Sequence, residues 1–160
     1  MIRLTALLLL LLECEAFAAP AVPPQQPIAH YVSQRADQAY LREGPSYQHK
    51  IIWIYRHRGY PFLVTASFDV WRRVEAPDGA LGWMSATMLS DQRTVLITGK
   101  TRVPIHASED GGKLVGLADP GAVAGLKSCG PDTCHISGQD IDGWIARDRI
   151  WGVGPGETFK

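Results

Sequence analysis

Two stretches of this chain share one grammar: an apolar strand, a turn, then Gly-Trp. In the first, Trp71-Arg72-Arg73-Val74 is followed by Pro77-Asp78-Gly79 and then by Leu81-Gly82-Trp83. Pro presets one turn dihedral, and Gly after Asp permits the positive φ of a tight reversal, so the stretch reads as a β-hairpin. In the second, Cys134-His135-Ile136 leads through Ser137-Gly138 to Asp142-Gly143-Trp144-Ile145, and Ile150-Trp151-Gly152 follows after a short gap. A hairpin that occurs twice makes the chain a tandem of one small β unit.

The remaining segments fit that plan. Ala39-Tyr40-Leu41-Arg42 is strand-like and ends in the turn cluster Glu43-Gly44-Pro45-Ser46. Ile51 to Tyr55 is a β-branched and aromatic run, suited to a strand buried on at least one side. Gly59 turns the chain into a further strand, in which Pro61 belongs at the start or on an edge because it lacks a ladder donor. Ala86 to Leu89 suits a single helical turn. In the second half Val103-Pro104-Ile105 is a strand, Ser108 to Gly112 its turn, Leu114 to Leu117 the counterpart of Ile51 to Ile54, and Pro120-Gly121 that of Gly59. Cys134 then falls where Trp71 did. No segment carries a sustained 3.6-residue apolar stripe, so the fold class is all-β, with two tandem small β-barrels over residues 31–92 and 93–160.

Residues 1–18 have the build of a secretory signal. Arg3 starts it, Leu4 to Leu12 is apolar, and Ala16-Phe17-Ala18 is a small-x-small site with cleavage expected after Ala18. The apolar run is shorter than the ~20 residues that span a bilayer, so no membrane span is expected in the mature form. Residues 19–30 are a Pro-rich tether, expected to be extended or disordered. Removing Arg3, Glu13 and Glu15 from sixteen charges of each sign leaves 15 basic and 14 acidic residues. That balance argues against a nucleic-acid partner, whose phosphates call for clustered positive charge. Cleavage also removes Cys14 and leaves Cys129 and Cys134, which in an exported chain suggest one disulfide across the loop Gly130-Pro131-Asp132-Thr133. The rival reading is a metal site of Cys129, Cys134 and His135, which lacks a fourth ligand.

The ordered motifs Leu41-Arg42-Glu43-Gly44-Pro45-Ser46, Gly59 before a strand, Trp71-Arg72-Arg73-Val74, Asp78-Gly79 and Gly82-Trp83 resemble the bacterial SH3-type (SH3b) domain, over about residues 36–90. Residues 94–155 look like a divergent copy that keeps Gly121, Gly143 and Trp144. The resemblance implies a strongly bent small barrel per unit and a non-catalytic role in the cell envelope, binding cell-wall material or a protein. The chain is accordingly expected in the periplasm or at the envelope, with a peptide, a cell-wall peptide stem or an envelope protein as partner.

No residue set calls for an enzyme or a cofactor. The serines lack a nucleophile-elbow setting, the five histidines are scattered, and Asp78, Asp140 and Asp142 occupy turns where carboxylates cap backbone groups. The aromatics carry more weight, because a barrel of about 55 residues cannot bury Tyr47, Trp53, Tyr55, Tyr60, Trp71 and Trp83 together. The ligand-binding candidates are Arg42, Tyr47, Trp53, Tyr55, Trp71, Arg72 and Arg73, since Arg pairs with carboxylates in fork geometry and the rings offer flat amphipathic faces. Trp83, Trp144 and Trp151 are expected in the structural core, and Trp71 could join them as a core pillar. The alternative role is assembly, with the exposed aromatics buried against a second copy or another subunit.

Overall fold

A computed structural model describes residues 29–139 and 141–159. The leader with its Ala18 site, tether residues 19–28 and Asp140 lie outside the described residues. The first strand already begins at His30, the last residue assigned to the tether from the sequence.

The first unit is a seven-stranded antiparallel sheet. Its strands are β1 (His30–Gln34), β2 (Ala39–Arg42), β3 (Ile51–Tyr55), β4 (Pro61–Phe68), β5 (Trp71–Glu75), β6 (Leu81–Ser85) and β7 (Leu89–Ser90), in the order β3-β2-β6-β5-β4-β1-β7. The second contains β8 (Thr94–Ile97), β9 (Val103–Ser108), β10 (Gly111–Ala118), β11 (Val123–Cys129), β12 (Thr133–Ser137), β13 (Asp142–Ala146) and β14 (Ile150–Trp151), in the order β10-β9-β13-β12-β11-β8-β14. Subtracting seven from each label of the second order gives the first, so the halves repeat strand for strand. The repeat extends to single bonds. Gly59 and Gly121, with φ of 82° and 84°, each donate N–H to the end of the unit's first strand, at Gln34 O and Ile97 O, both at 2.8 Å. A 3₁₀ turn closes each unit, at Ala86–Met88 and Arg147–Arg149.

Each unit has its own core. Leu41, Phe62, Val64, Val74 and Met84 fill the first, and Val95, Ile97, Val103, Ile105, Ile136 and Ile145 the second, all at most 1% exposed. Each such side chain contributes roughly 1.5–3 kcal/mol by leaving water. Period-2 alternation in β6 and β13 turns Gly82 and Met84, and likewise Gly143 and Ile145, inward. The glycines are needed there. A Cβ on Gly82 would lie 2.6 Å from Leu41 Cγ and 2.8 Å from Arg42 O, and one on Gly143 would lie 2.6 Å from His106 O.

That alternation corrects the expected tryptophan core. Trp83 and Trp144 point away from it and are half-buried, because in Gly-Trp the glycine is the core position. Trp151 also lies outside both cores and meets Tyr31 edge to face, ring centroids 5.2 Å apart, where the units touch. Trp71 is buried, at 5% exposed, but stands apart from the packed cluster that fills the first unit. The ladder also corrects the proposed equivalence of Cys134 with Trp71. Cys134 pairs with Ile145 as Arg72 pairs with Met84, so Cys134 takes the place of Arg72 and Thr133 that of Trp71. The first prominent residues of the two strands, Trp71 and Cys134, therefore stand one position out of step.

Cys129 and Cys134 face each other on β11 and β12, Cα atoms 4.1 Å apart, and are joined as a disulfide. With the sulfurs bonded to each other, the rival metal set loses two of its three ligands. Phe159 pairs with the same hairpin, exchanging backbone hydrogen bonds with Cys129 at 2.9 and 3.0 Å. The tail is held again at the junction. Arg93 donates to Glu157 through both terminal nitrogens, at 2.6 and 3.2 Å, and to Gly152 O at 2.9 Å. Its guanidinium carbon also stands 5.5 Å from the Tyr31 ring centroid and 5.3 Å from that of Phe159. Thr94 completes the junction by donating Oγ1–H to Gly59 O at 2.6 Å.

Candidate ligand-binding face

The outer surface of the first sheet is built around Trp83. In the ladder Trp83 lies between Arg42 on β2 and Arg73 on β5, so two arginines flank one indole ring across neighbouring strands. Trp71 lies two residues before Arg73 on the same face. The loop of residues 43–50 folds over it. Tyr47 meets Trp71 at a centroid distance of 5.0 Å and 66° between planes, and remains 68% exposed itself.

Arg42 secures that loop. Its Nη1 donates to Tyr47 O at 3.0 Å and His49 O at 2.8 Å, and its guanidinium carbon lies 5.5 Å from the Tyr47 ring centroid. Ser46 Oγ and His49 Nδ1 are 2.7 Å apart, and the His49 ring covers Gly44 where any side chain would collide with it. The Leu-Arg-x-Gly-Pro-Ser segment is therefore a scaffold: its Gly receives a ring and its Arg ties down the loop that carries Tyr47. Arg73 is exposed and, among the described residues, its guanidinium has no partner.

The structure thus brings four of the seven candidates together, Arg42, Tyr47, Trp71 and Arg73, with Trp71 buried beneath Tyr47 as a support and closed to a ligand, and adds Trp83. Tyr55 is not available to a ligand. It is 6% exposed, stacks on Tyr60 at 5.2 Å, meets Phe62 at 4.9 Å, and holds its hydroxyl 3.4 Å from both Asp78 carboxylate oxygens. Burial, then the Asp78 charge, pushes its phenol far above the usual range. Trp53 pairs with Leu41 in the ladder, so it shares the inward face with Tyr55 but lies toward the open end of edge strand β3, 54% exposed. Arg72 leaves the set as well. It donates to Asp69 O at 2.9 Å and Trp71 O at 3.0 Å, and lines a separate polar cleft with His30, Arg35 and Asp91. Adjacent residues of a strand face opposite ways, so Arg72 and Arg73 were never one patch.

The second unit repeats this arrangement with other chemistry. Trp144 lies between His106 on β9 and His135 on β12, as Trp83 does between Arg42 and Arg73. His135 stacks on Trp144 at 5.0 Å and 10° and holds Asp142 at 2.7 Å, while Lys127 bonds the other Asp142 oxygen. Those two hydrogen bonds, from Lys127 first, hold the Asp142 carboxyl below its ordinary range. Two residues, Glu109 and Asp110, replace the loop of residues 43–50, and Thr133 replaces Trp71. The space that Tyr47 and Trp71 fill in the first unit is here a cleft of about 330 Å3.

Residues 35–91 match the family model of the bacterial SH3 domain. The match lies within the first unit, and the second unit repeats its strand order. Two solved structures from Trichomonas vaginalis are similar to the chain. NlpC2 is 9% identical, with 79% of this chain and 49% of that one covered and a TM-score of 0.36. NlpC1 is 12% identical, with 81% and 48% covered and a TM-score of 0.36. The chain spans about half the length of each. No curated protein matches it.

Proposed function

We propose that the chain is a non-catalytic binding module of the cell envelope, and that the face around Trp83 in the first SH3 unit recognises an extended peptide bearing a carboxylate, such as a cell-wall peptide stem. The observation that carries this reading is the placement of Trp83 between Arg42 and Arg73. A flat ring receives the apolar part of a chain, and Arg73 supplies an unengaged fork of donors to a carboxylate beside it. Arg42 and the Tyr47 loop fix the geometry in advance, which lowers the ordering cost of binding. The family match and the Cys129–Cys134 bond support an oxidising, extracytoplasmic setting.

Retention of residues 19–160 on isolated peptidoglycan tests the reading. Arg73→Ala and Trp83→Ala are each expected to abolish retention with the circular dichroism spectrum unchanged. Arg72→Ala, on the other side of the sheet, is expected to keep it. Equal retention of all three variants removes the assignment.

A second reading, assembly, is favoured by β3. Ile51, Ile52, Trp53 and Ile54 of this edge strand are 37–54% exposed, an apolar rim of the kind that pairs with another strand. Light scattering after size exclusion separates the two. A stable dimer lost on Ile52→Lys supports assembly, and a monomer supports binding to the wall.

A further inference from the structure

We infer that the second unit carries a binding site of its own, at Trp144, for an ammonium group borne on a short peptide. Two clefts adjoin there. One, of about 330 Å3, runs along Val103, His106 and Asp148; the other, of about 360 Å3, reaches the disulfide and Phe159. They share two lining residues, Trp144 and Glu109, so an indole ring and a carboxylate border both.

That pairing selects a cation, because an ammonium is drawn to an indole face and to a carboxylate at the same time. The carboxylates of Glu109 and Asp148 have no partner among the described residues, in contrast to Asp142 and Glu157. Arg149 also lines the first cleft, its guanidinium near Gly99, and leaves the carboxylates in excess. Relative to the first unit the charge is reversed: imidazoles stand where Arg42 and Arg73 stand, and the shortened β9–β10 turn brings Glu109 in place of the Tyr47 loop. The face around Trp144 therefore favours amines. This site stands independently of the first-unit reading.

The test uses residues 19–160 and the blocked peptide acetyl-Ala-Lys-Ala-amide, followed through the indole N–H resonance of Trp144. A saturable shift is expected at Trp144 and not at Trp83. The Nε-acetyl-lysine peptide, equal in shape but uncharged, is expected to bind at least fivefold more weakly, and Glu109→Gln and Asp148→Asn to weaken the amine peptide at least threefold each. Arg73→Ala leaves these values unchanged, so the two sites fail separately. Equal binding of both peptides, no saturable shift at Trp144, or unaltered binding in both carboxylate variants overturns the site.

Discussion

Glu157→Gln is the most informative single change for the architecture, because one carboxylate joins the tail to the junction of the two units. Glu157 accepts two hydrogen bonds from Arg93 and one, at 2.8 Å, from the backbone N–H of Gly154. The Arg93 and Glu157 side chains are 24% and 31% exposed, so the pair lies between a solvated ion pair, worth about 0–1 kcal/mol, and a buried one, whose disruption costs about 3–5 kcal/mol. A loss of about 1.5 kcal/mol is expected at neutral pH, or about 3–6 °C in Tm for a chain of this size. The hydrogen bond from Arg93 is the main cause of a Glu157 carboxyl that titrates below its ordinary range. A depressed folded-state pKa gives stability that is fully present above the unfolded value, about 4.3, and is lost as pH falls through the folded one. Thermal melts of wild type and Glu157→Gln at pH 7, 5 and 3, read by far-UV circular dichroism, should show a gap that is whole at pH 7 and narrower at pH 3. A gap that is absent at pH 7, or that persists undiminished at pH 3, refutes the argument.

Other expectations concern packing and chemistry elsewhere. Gly143→Ala places a methyl against the His106 carbonyl and should cost about 1–3 kcal/mol in urea denaturation, as overpacking does. Tyr47→Ala should expose Trp71 and shift its emission to the red while the core stays folded, with about 1 kcal/mol lost from the edge-to-face contact. Breaking the Cys129–Cys134 bond by paired change to Ala should cost about 2 kcal/mol, from the loop-closure entropy of a ring this short. Phenol titration followed in the ultraviolet should show Tyr55 resisting ionisation well above pH 10. Because its folded-state pKa is raised, the stability tied to its proton is whole below the unfolded value and declines as pH rises beyond it.

The sequence made the strand plan legible because turn chemistry is local. Asp78-Gly79 states its reversal in two residues, and Gly79 has the φ of 83° that the turn requires. The tandem repeat was legible for the same reason, although the β9–β10 turn had lost the loop found in the first unit. Facing was less legible. Whether Trp83 or Gly82 turns inward depends on Leu41 and the Arg42 carbonyl of a strand forty residues earlier, and no local signal carries that. Tyr55 looked available because β3 is apolar throughout. The ring is buried only because Tyr60 and Phe62 return across it. Alternation alone could have separated Arg72 from Arg73, since neighbours on one strand cannot share a face. The tail latch was the least legible, as it joins residues 31, 93 and 157 through a single side chain.

That side chain also ties the two ends of the folded body together. Tyr31, one residue into the folded body, and Phe159, at its far boundary, rest on the same guanidinium. His30 is itself paired with Val64 in the first sheet and Phe159 with Cys129 in the second, so Arg93 adds a third hold that links the two ends across the junction.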